Sequence, residues 1–360
     1  GKLKTIINST QKDLKFKAYV FVTGMHNMRE YGSTYIQIQK DKIKNIKRFS
    51  NQKLGSNHNK ILSNTINGFS GFANKIMPDL VIVHGDRIEP LACAIVCCLN
   101  NIKIAHFEGG ELSGTVDEIF RHSISKLCNI HFVTNKVAKK RLIQLGELNQ
   151  NIFITGSPDV DVLLDKNLPS LKNVIKKYDI KFQLFSIAIF HPVTTDIKNL
   201  KSNIISFVKA LKKSGENYIL IYPNNDLGSN VILKEYKKIK NDRIKIFPSI
   251  RFEYYLTLLK NSKFIIGNSS SGIIEAPYYG VPTINIGDRQ KNRVNLKSII
   301  NCNYKYNSII KQIKKYSNRK RFKNSYFFGS GKSNVKVMKI LKSKKIWKIQ
   351  NQKQFKDIYW

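Results

Sequence analysis

DLVIVHGDRIEPLACAIVCCLNNIKIAHFEGG, residues 79–110, reads as a strand, a helix and a second strand. The two outer runs are short, rich in β-branched residues and nearly free of polar alternation, as in strands covered on both faces. The middle run, PLACAIVCCLNN, is long enough for a helix and contains no internal glycine. A strand, a helical crossover and another buried strand make a βαβ unit, the repeat of a parallel sheet. Each strand stops at a polar group, His84-Gly85-Asp86-Arg87 and then Glu108-Gly109-Gly110-Glu111.

The same grammar extends in both directions. KAYVFVTG (17–24) precedes the unit, and IHFVTN (130–135) and NIFITGSP (151–158) follow it. After a looser stretch at 159–183 the pattern restarts with LFSIAIFHP (184–192), NYILIYPNN (217–225), RIKIFPS (243–249), KFIIGNSS (263–270) and VPTINIG (281–287). A chain of 360 residues also exceeds one ordinary core. The expectation is an α/β protein of two doubly wound, Rossmann-like domains facing a central cleft. Residues 1–165 form the first, 166–340 the second, and 341–360 a basic C-terminal tail. Ligands of such sheets bind beyond the carboxyl ends of the strands, where the unusual polar residues of this chain collect.

In the first half these residues are acidic. Of 24 Asp and Glu, six fall between 86 and 118: Asp86, Glu89, Glu108, Glu111, Asp117 and Glu118. Helix caps and ion pairs use such residues too. Carboxylates gathered at one cleft can have their pKa values driven apart, which separates a proton donor from an acceptor. Arg121 and His122 follow on the helix that opens with Asp117.

In the second half the strand ends carry His191, Asn224 and the loop Gly267-Asn268-Ser269-Ser270-Ser271-Gly272, with Glu275 beyond it. Small residues let backbone N–H groups approach a phosphate at a helix start, and serine hydroxyls add donors. Glu275 suits a ribose hydroxyl, and Arg289 and Arg293 suit a diphosphate. The residues therefore read as a nucleotide diphosphate held by the second domain, with acid/base chemistry supplied by the first; they do not choose the base. GSGKS (329–333) is not a phosphate loop, because Tyr326 stands where the motif requires glycine.

At these clusters the sequence resembles the hydrolysing UDP-N-acetylglucosamine 2-epimerases and the epimerase half of the bifunctional enzyme that begins sialic acid synthesis. The stretches that carry the resemblance include TGMHNMREYGSTY, PDLVIVHGDRIEPLA, IAHFEGGELSGTVDEIFRHSISKL, IFITGSPDVD, HPVTTDIK, YPNNDLGS and GNSSSGIIEAPYYGVPTINIGDRQ, in family order. The resemblance implies a GT-B-like fold and a reaction with no cofactor and no metal. In that reaction the C2 proton is removed, UDP leaves by anti elimination, and water adds to the 2-acetamidoglucal. It implies Asp86, Glu108, Asp117 and His191 as catalytic residues. Arg87, Arg121, His122, Asn224, Ser269, Ser270, Glu275 and Arg289 are implied as substrate ligands, with His191 also touching UDP. It implies a homodimer or homotetramer and either UDP-N-acetylglucosamine or UDP-N,N'-diacetylbacillosamine as substrate, for nonulosonic acid synthesis.

The chain departs from the family pattern at four places. The family opens with a strand and an Arg-bearing loop, and this sequence begins just after them, so the expectation is a fragment or a misassigned start. Ile119-Phe120 replaces Ser-Ile, Asn292 replaces a glycine, and Ser330 replaces an acid.

Two other readings remain at this level: a GT-B glycosyltransferase using a UDP-sugar, and a truncated, non-catalytic UDP-sugar- or polyanion-binding protein. The second draws on the net charge of +38, of which residues 303–360 hold 17 Lys and Arg against Asp357 alone. Lysine spread over a solvated surface accounts for the same numbers, and no specific nucleic-acid partner is expected. The tail KSKKIWKIQNQKQFKDIYW suits an anionic surface, or a helix returning to pack on the first domain. No apolar run reaches the ~20 residues of a membrane span. Five cysteines without zinc or disulfide spacing suggest a reduced, cytoplasmic setting.

Overall fold

The computed structural model describes residues 2–357. All ten strands expected from the sequence form: β1 (Val20–Val22), β3 (Val81–His84), β4 (Ile104–Phe107), β5 (Ile130–Val133), β6 (Ile152–Ile154), β7 (Ser186–Ile189), β8 (Tyr218–Ile221), β9 (Ile244–Phe247), β10 (Ile265–Gly267) and β11 (Thr283–Ile286). Two more were not foreseen, β2 (Ile46–Arg48) and β12 (Ile299–Cys302). Both are edge strands of mixed polarity, β2 exposed at Lys47 and Arg48, so their sequences lack the buried signature.

The helices of the first half are α1 (Lys4–Gln11), α2 (Tyr35–Lys40), α3 (His58–Ile76), α4 (Ile88–Leu99), α5 (Val116–Leu127), α6 (Lys136–Gln144) and α7 (Pro158–Leu163). Those of the second are α8 (Leu171–Lys177), α9 (Leu200–Lys213), α10 (Ser229–Lys237), α11 (Phe252–Asn261), α12 (Ser271–Ile274), α13 (Tyr306–Tyr316), α14 (Ser333–Leu341) and α15 (Lys344–Trp347).

Every strand pairing is parallel. The first domain holds β3-β4-β5-β6 in sequential order, with β1 and β2 as a separate pair. Its central strands are buried on both faces. Ile104 joins a core with Val83, Ala94 and Ile124, while its neighbour Ala105 joins Phe107, Ile130 and Phe132 on the other side. That alternation follows from the two-residue period of a strand. Cys93 and Cys97 sit in the first of these cores, but Cys98 is exposed.

The second domain is a six-stranded sheet ordered β12-β11-β10-β7-β8-β9. The order runs outward in both directions from β7, so β7 and β10 flank the topological switch point, where a crevice opens past the strand ends. Gly267 ends β10 at φ +132, and a Cβ there would strike the Ile189 carbonyl of β7.

The chain then returns. Val337 and Leu341 of α14 and Ile346 of α15 bury against Ile6, Phe107 and Phe132 of the first domain. Asp161 fastens the start of α14 by accepting from the Ser333 and Asn334 backbone N–H groups at 2.7 and 2.9 Å. Residues 333–340, grouped with the second domain by the sequence reading, thus lie on the first, as do 341–353. Among the described residues no helix is long and apolar enough to cross a membrane.

Candidate active site

The carboxyl ends of both sheets face one cleft, and each sheet contributes a different kind of group. From the first come the carboxylates. Asp86 leaves β3 and pairs with the fully buried Arg121 of α5. Arg121 also donates to the Glu111 carbonyl at 3.2 Å. Burial pushes the Asp86 carboxyl up, but Arg121 and Arg293 outweigh it and hold the group below the usual range.

Glu108 follows β4 at φ +67, a left-handed conformation uncommon for a residue with a Cβ. Strain of this kind persists where the surroundings over-determine it, commonly at active sites. Its Oε1 lies 3.6 Å from His84 Nε2 and 3.9 Å from Lys2 Nζ. Burial again pushes upward, and Lys2, His84, Arg293 and Arg121 together pull Glu108 well below an ordinary glutamate.

Asp117, in the first turn of α5, moves the other way. Burial and the Asp86 charge raise it, only partly offset by Arg289 across the cleft at 3.5 Å. The result is one carboxylate held ionised and another biased toward its protonated form. His106 faces inward instead, with its Nε2 2.8 Å from the Gly85 carbonyl and its Nδ1 3.0 Å from Ser125 Oγ.

The second domain offers neutral donors. His191 leaves β7, and its backbone is gripped from both sides by the Asn268 side chain, at 2.6 and 2.9 Å. Its Nδ1 accepts from the Asn224 N–H at 3.0 Å, which leaves the ring proton on Nε2. Burial, then Arg289, lower its pKa to about 3, so the imidazole is neutral.

Ser269 and Ser270 begin the turn after β10. The helix there lasts only four residues, and a 3-10 turn, Ala276–Tyr279, continues past it with Pro277 near its start. The expected helix dipole is therefore small, and the turn offers mainly its local N–H and hydroxyl groups. Glu275 is buried with Oε2 unpartnered. Burial, opposed by Lys2, raises it to about 7.

Among the contacts that join the two halves, four bear on the cleft residues. Arg87 pairs with Asp226 at 2.7 Å, Arg293 with Glu111 at 2.7 Å, and Arg289 with Asp117. The Gly114 N–H donates to the Arg289 carbonyl at 3.0 Å. Asp226 is left at about 2, since Arg87 overrides the upward push of burial. Asn292 holds φ +61, the conformation for which the glycine it replaces is best suited.

Of the residues singled out in the sequence, Asp86, Arg87, Glu108, Asp117, Arg121, His191, Ser269, Ser270, Glu275 and Arg289 lie along this cleft or its walls. Asn224 contributes its backbone N–H. His122 does not join them; it lies 3.6 Å from Glu118 and lines an open groove with Arg141 and Gln144. The sequence reading gave no role to His84, though it marks the end of β3, and missed Lys2 and Asp159. Lys2 Nζ sits 2.7 Å from Asp159, which is fully buried. His84, Glu108 and Asp159 bring ligand atoms within 4.8 Å of one another, close enough for a metal, but the Lys2 ammonium already lies among them. Asp159 had one signal, its place just past a strand end in GSPD; Lys2 had none.

Two parallel α/β sheets whose carboxyl ends close on one cleft define a GT-B-like protein. The family model for UDP-N-acetylglucosamine 2-epimerase matches residues 8–342. The UDP-N-acetylglucosamine 2-epimerase of Neisseria meningitidis serogroup B is 43% identical over 361 residues, covering 99% of this chain and 96% of that protein. The GDP/UDP-N,N'-diacetylbacillosamine 2-epimerase (hydrolyzing) of Campylobacter jejuni is 36% identical over 311 residues, 83% of this chain and 80% of its own. Among solved structures, the Methanocaldococcus jannaschii UDP-GlcNAc 2-epimerase in complex with UDP-GlcNAc and UDP aligns with a TM-score of 0.79 at 23% identity, over 94% of this chain and 95% of that one. The chain belongs to the UDP-N-acetylglucosamine 2-epimerase family.

Proposed function

We propose that this protein is a hydrolysing UDP-HexNAc 2-epimerase: it converts UDP-N-acetylglucosamine, or its diacetylbacillosamine analogue, and water to UDP and the free 2-epimeric sugar. The observation that carries the mechanism is the divergence of two carboxyls on one wall, Glu108 held ionised and Asp117 pushed toward protonation. A C2–H bond beside an acetal carbon is weakly acidic, so it needs a positioned base and a stabilised leaving group.

Glu108 takes the C2 proton while the C1–O bond to the diphosphate breaks, and the electron pair of the C–H bond becomes the C1=C2 double bond. Charge developing on UDP is met by Arg87, Arg289, the Nε2–H of His191 and the Ser269–Ser270 turn. Glu275, buried with a free oxygen, accepts from a ribose hydroxyl. Water then adds its hydroxyl to C1 while Asp117 delivers its proton to the face of C2 opposite the one that lost it; the proton shed by the water restores Asp117, and Glu108 returns the proton it took to solvent. Asp86 stays ionised against Arg121 and holds that arginine beside the sugar. The protein acts as a cytoplasmic homo-oligomer supplying nonulosonic acid synthesis, and light scattering of the purified protein tests the assembly.

Proton NMR of UDP-N-acetylglucosamine and of UDP-N,N'-diacetylbacillosamine in D2O tests the chemistry. The expected products are UDP and a manno-type free sugar with deuterium at C2. UDP together with the unchanged gluco sugar would overturn the proposal. The sugar turned over faster identifies the substrate.

A further inference from the structure

The helix that carries Asp117 and Arg121 has an unusual second end. α5 passes into β5 through only Cys128 and Asn129, and Cys128 is extended at ψ 147. No glycine closes the helix in a left-handed turn, the usual way its last carbonyls are satisfied. Their partner comes from the far end of the chain. Lys353 Nζ donates to the carbonyls of Ser125 at 3.3 Å, Lys126 at 2.8 Å and Cys128 at 2.8 Å. Its fourth contact is Glu147 Oε2 at 2.6 Å, an oxygen that also lies 2.9 Å from His131 Nε2.

The segment leading to Lys353 is tied to the same junction. The Asn129 amide donates to the Asn351 carbonyl at 2.8 Å and to that of Gln350 at 3.3 Å, while its oxygen accepts from the Ile104 N–H. Lys103 Nζ donates to the Trp347 carbonyl at 2.8 Å. A cation at a helix C-terminus also complements the macrodipole.

We propose that Lys353 is a positioning residue: it clamps the C-terminal end of α5 and thereby sets where the opposite end presents Asp117 and Arg121 to the sugar. A twelve-residue helix is a stiff rod of ~18 Å, so a shift or tilt at one end moves the other. Arg121, buried between Asp86 and the Glu111 carbonyl, tolerates little such movement. The inference rests on the roles proposed above for Asp117 and Arg121.

The test compares the full chain with Lys353→Met and Lys353→Arg. In Lys353→Met, kcat is expected to fall about 10- to 100-fold with KM within about twofold, the scale of a misplaced catalytic group. Lys353→Arg, which keeps donors and charge, is expected to recover most of that loss. Hydrogen exchange gives a second readout without turnover: amides 116–121 are expected to exchange faster in Lys353→Met. An unchanged kcat per folded molecule with only a lowered melting temperature would overturn the proposal. So would faster exchange confined to 125–129 and 347–353, even if the wild-type protein turned over neither sugar, a result that would separately sink the proposed reaction.

Discussion

The two walls of the cleft solve the same problem by different means. The first-domain wall consists of charged side chains, Asp86, Glu108, Asp117 and Arg121, each held by ion pairs to residues far away in the chain. The second-domain wall, at the β7–β10 switch point, is a neutral histidine and a small-residue turn held by strand geometry and by Asn268, with Arg289, which donates to the Asn268 carbonyl, as its cation. A wall that must move protons needs groups whose charge is adjustable, and burial among partners adjusts it. A wall that must receive a departing anion needs donors fixed in place before charge develops. The electrostatics of the first wall should therefore respond sharply to single charge changes, and the second to loss of shape.

The strongest break of this contrast is Glu108→Gln, which removes the ionised base. It is expected to cost at least about 10³-fold in UDP release and to abolish deuterium exchange at C2, read by coupled assay and NMR. His191→Ala on the opposite wall is expected to cost about 10²- to 10³-fold, as for a lost oxyanion donor. The pH profile of what remains should keep its shape, because a histidine lowered to about 3 is already neutral across the working range.

Asp226→Asn sharpens the comparison from between the walls. It frees Arg87 from its carboxylate partner, so UDP should bind several-fold tighter by calorimetry, with kcat little changed. Weaker binding would show that Asp226 orients Arg87 rather than competing with the diphosphate.

The smallest effect is on stability. Glu275 is raised from 4.5 to about 7 when folded. A raised carboxyl binds its proton more tightly in the native state, so its contribution is full below pH 4.5 and disappears as pH climbs toward 7. Glu275→Gln should therefore melt a few degrees higher relative to wild type at pH 8 than at pH 5, measured by differential scanning fluorimetry.

Much of this was legible in the chain itself because buried parallel strands write themselves as apolar runs, and the polar residues that end them are then conspicuous. Asp86, Glu108, His191 and Ser269 were found that way. β2 and β12 escaped because an edge strand needs no unbroken apolar run. The brevity of the helix after Ser270 was not legible, since nothing before Pro277 in the sequence shows that it ends at Ile274. Lys2 and Asp159 lie 157 residues apart and no local pattern links them. His122 shares a helix with Arg121 yet faces outward, because neighbours in a helix diverge by about 100°.

The sequence by itself determined two parallel sheets, where their strands end, and which residue types wait there, because short-range periodicity and turn chemistry control those features. Only the tertiary structure decided which carboxylate ionises, which arginine pairs across the cleft, and that the C-terminal segment returns to hold α5. Those outcomes depend on burial and on charges brought within a few ångströms by folding, and Coulomb interactions and desolvation act through space, not along the chain.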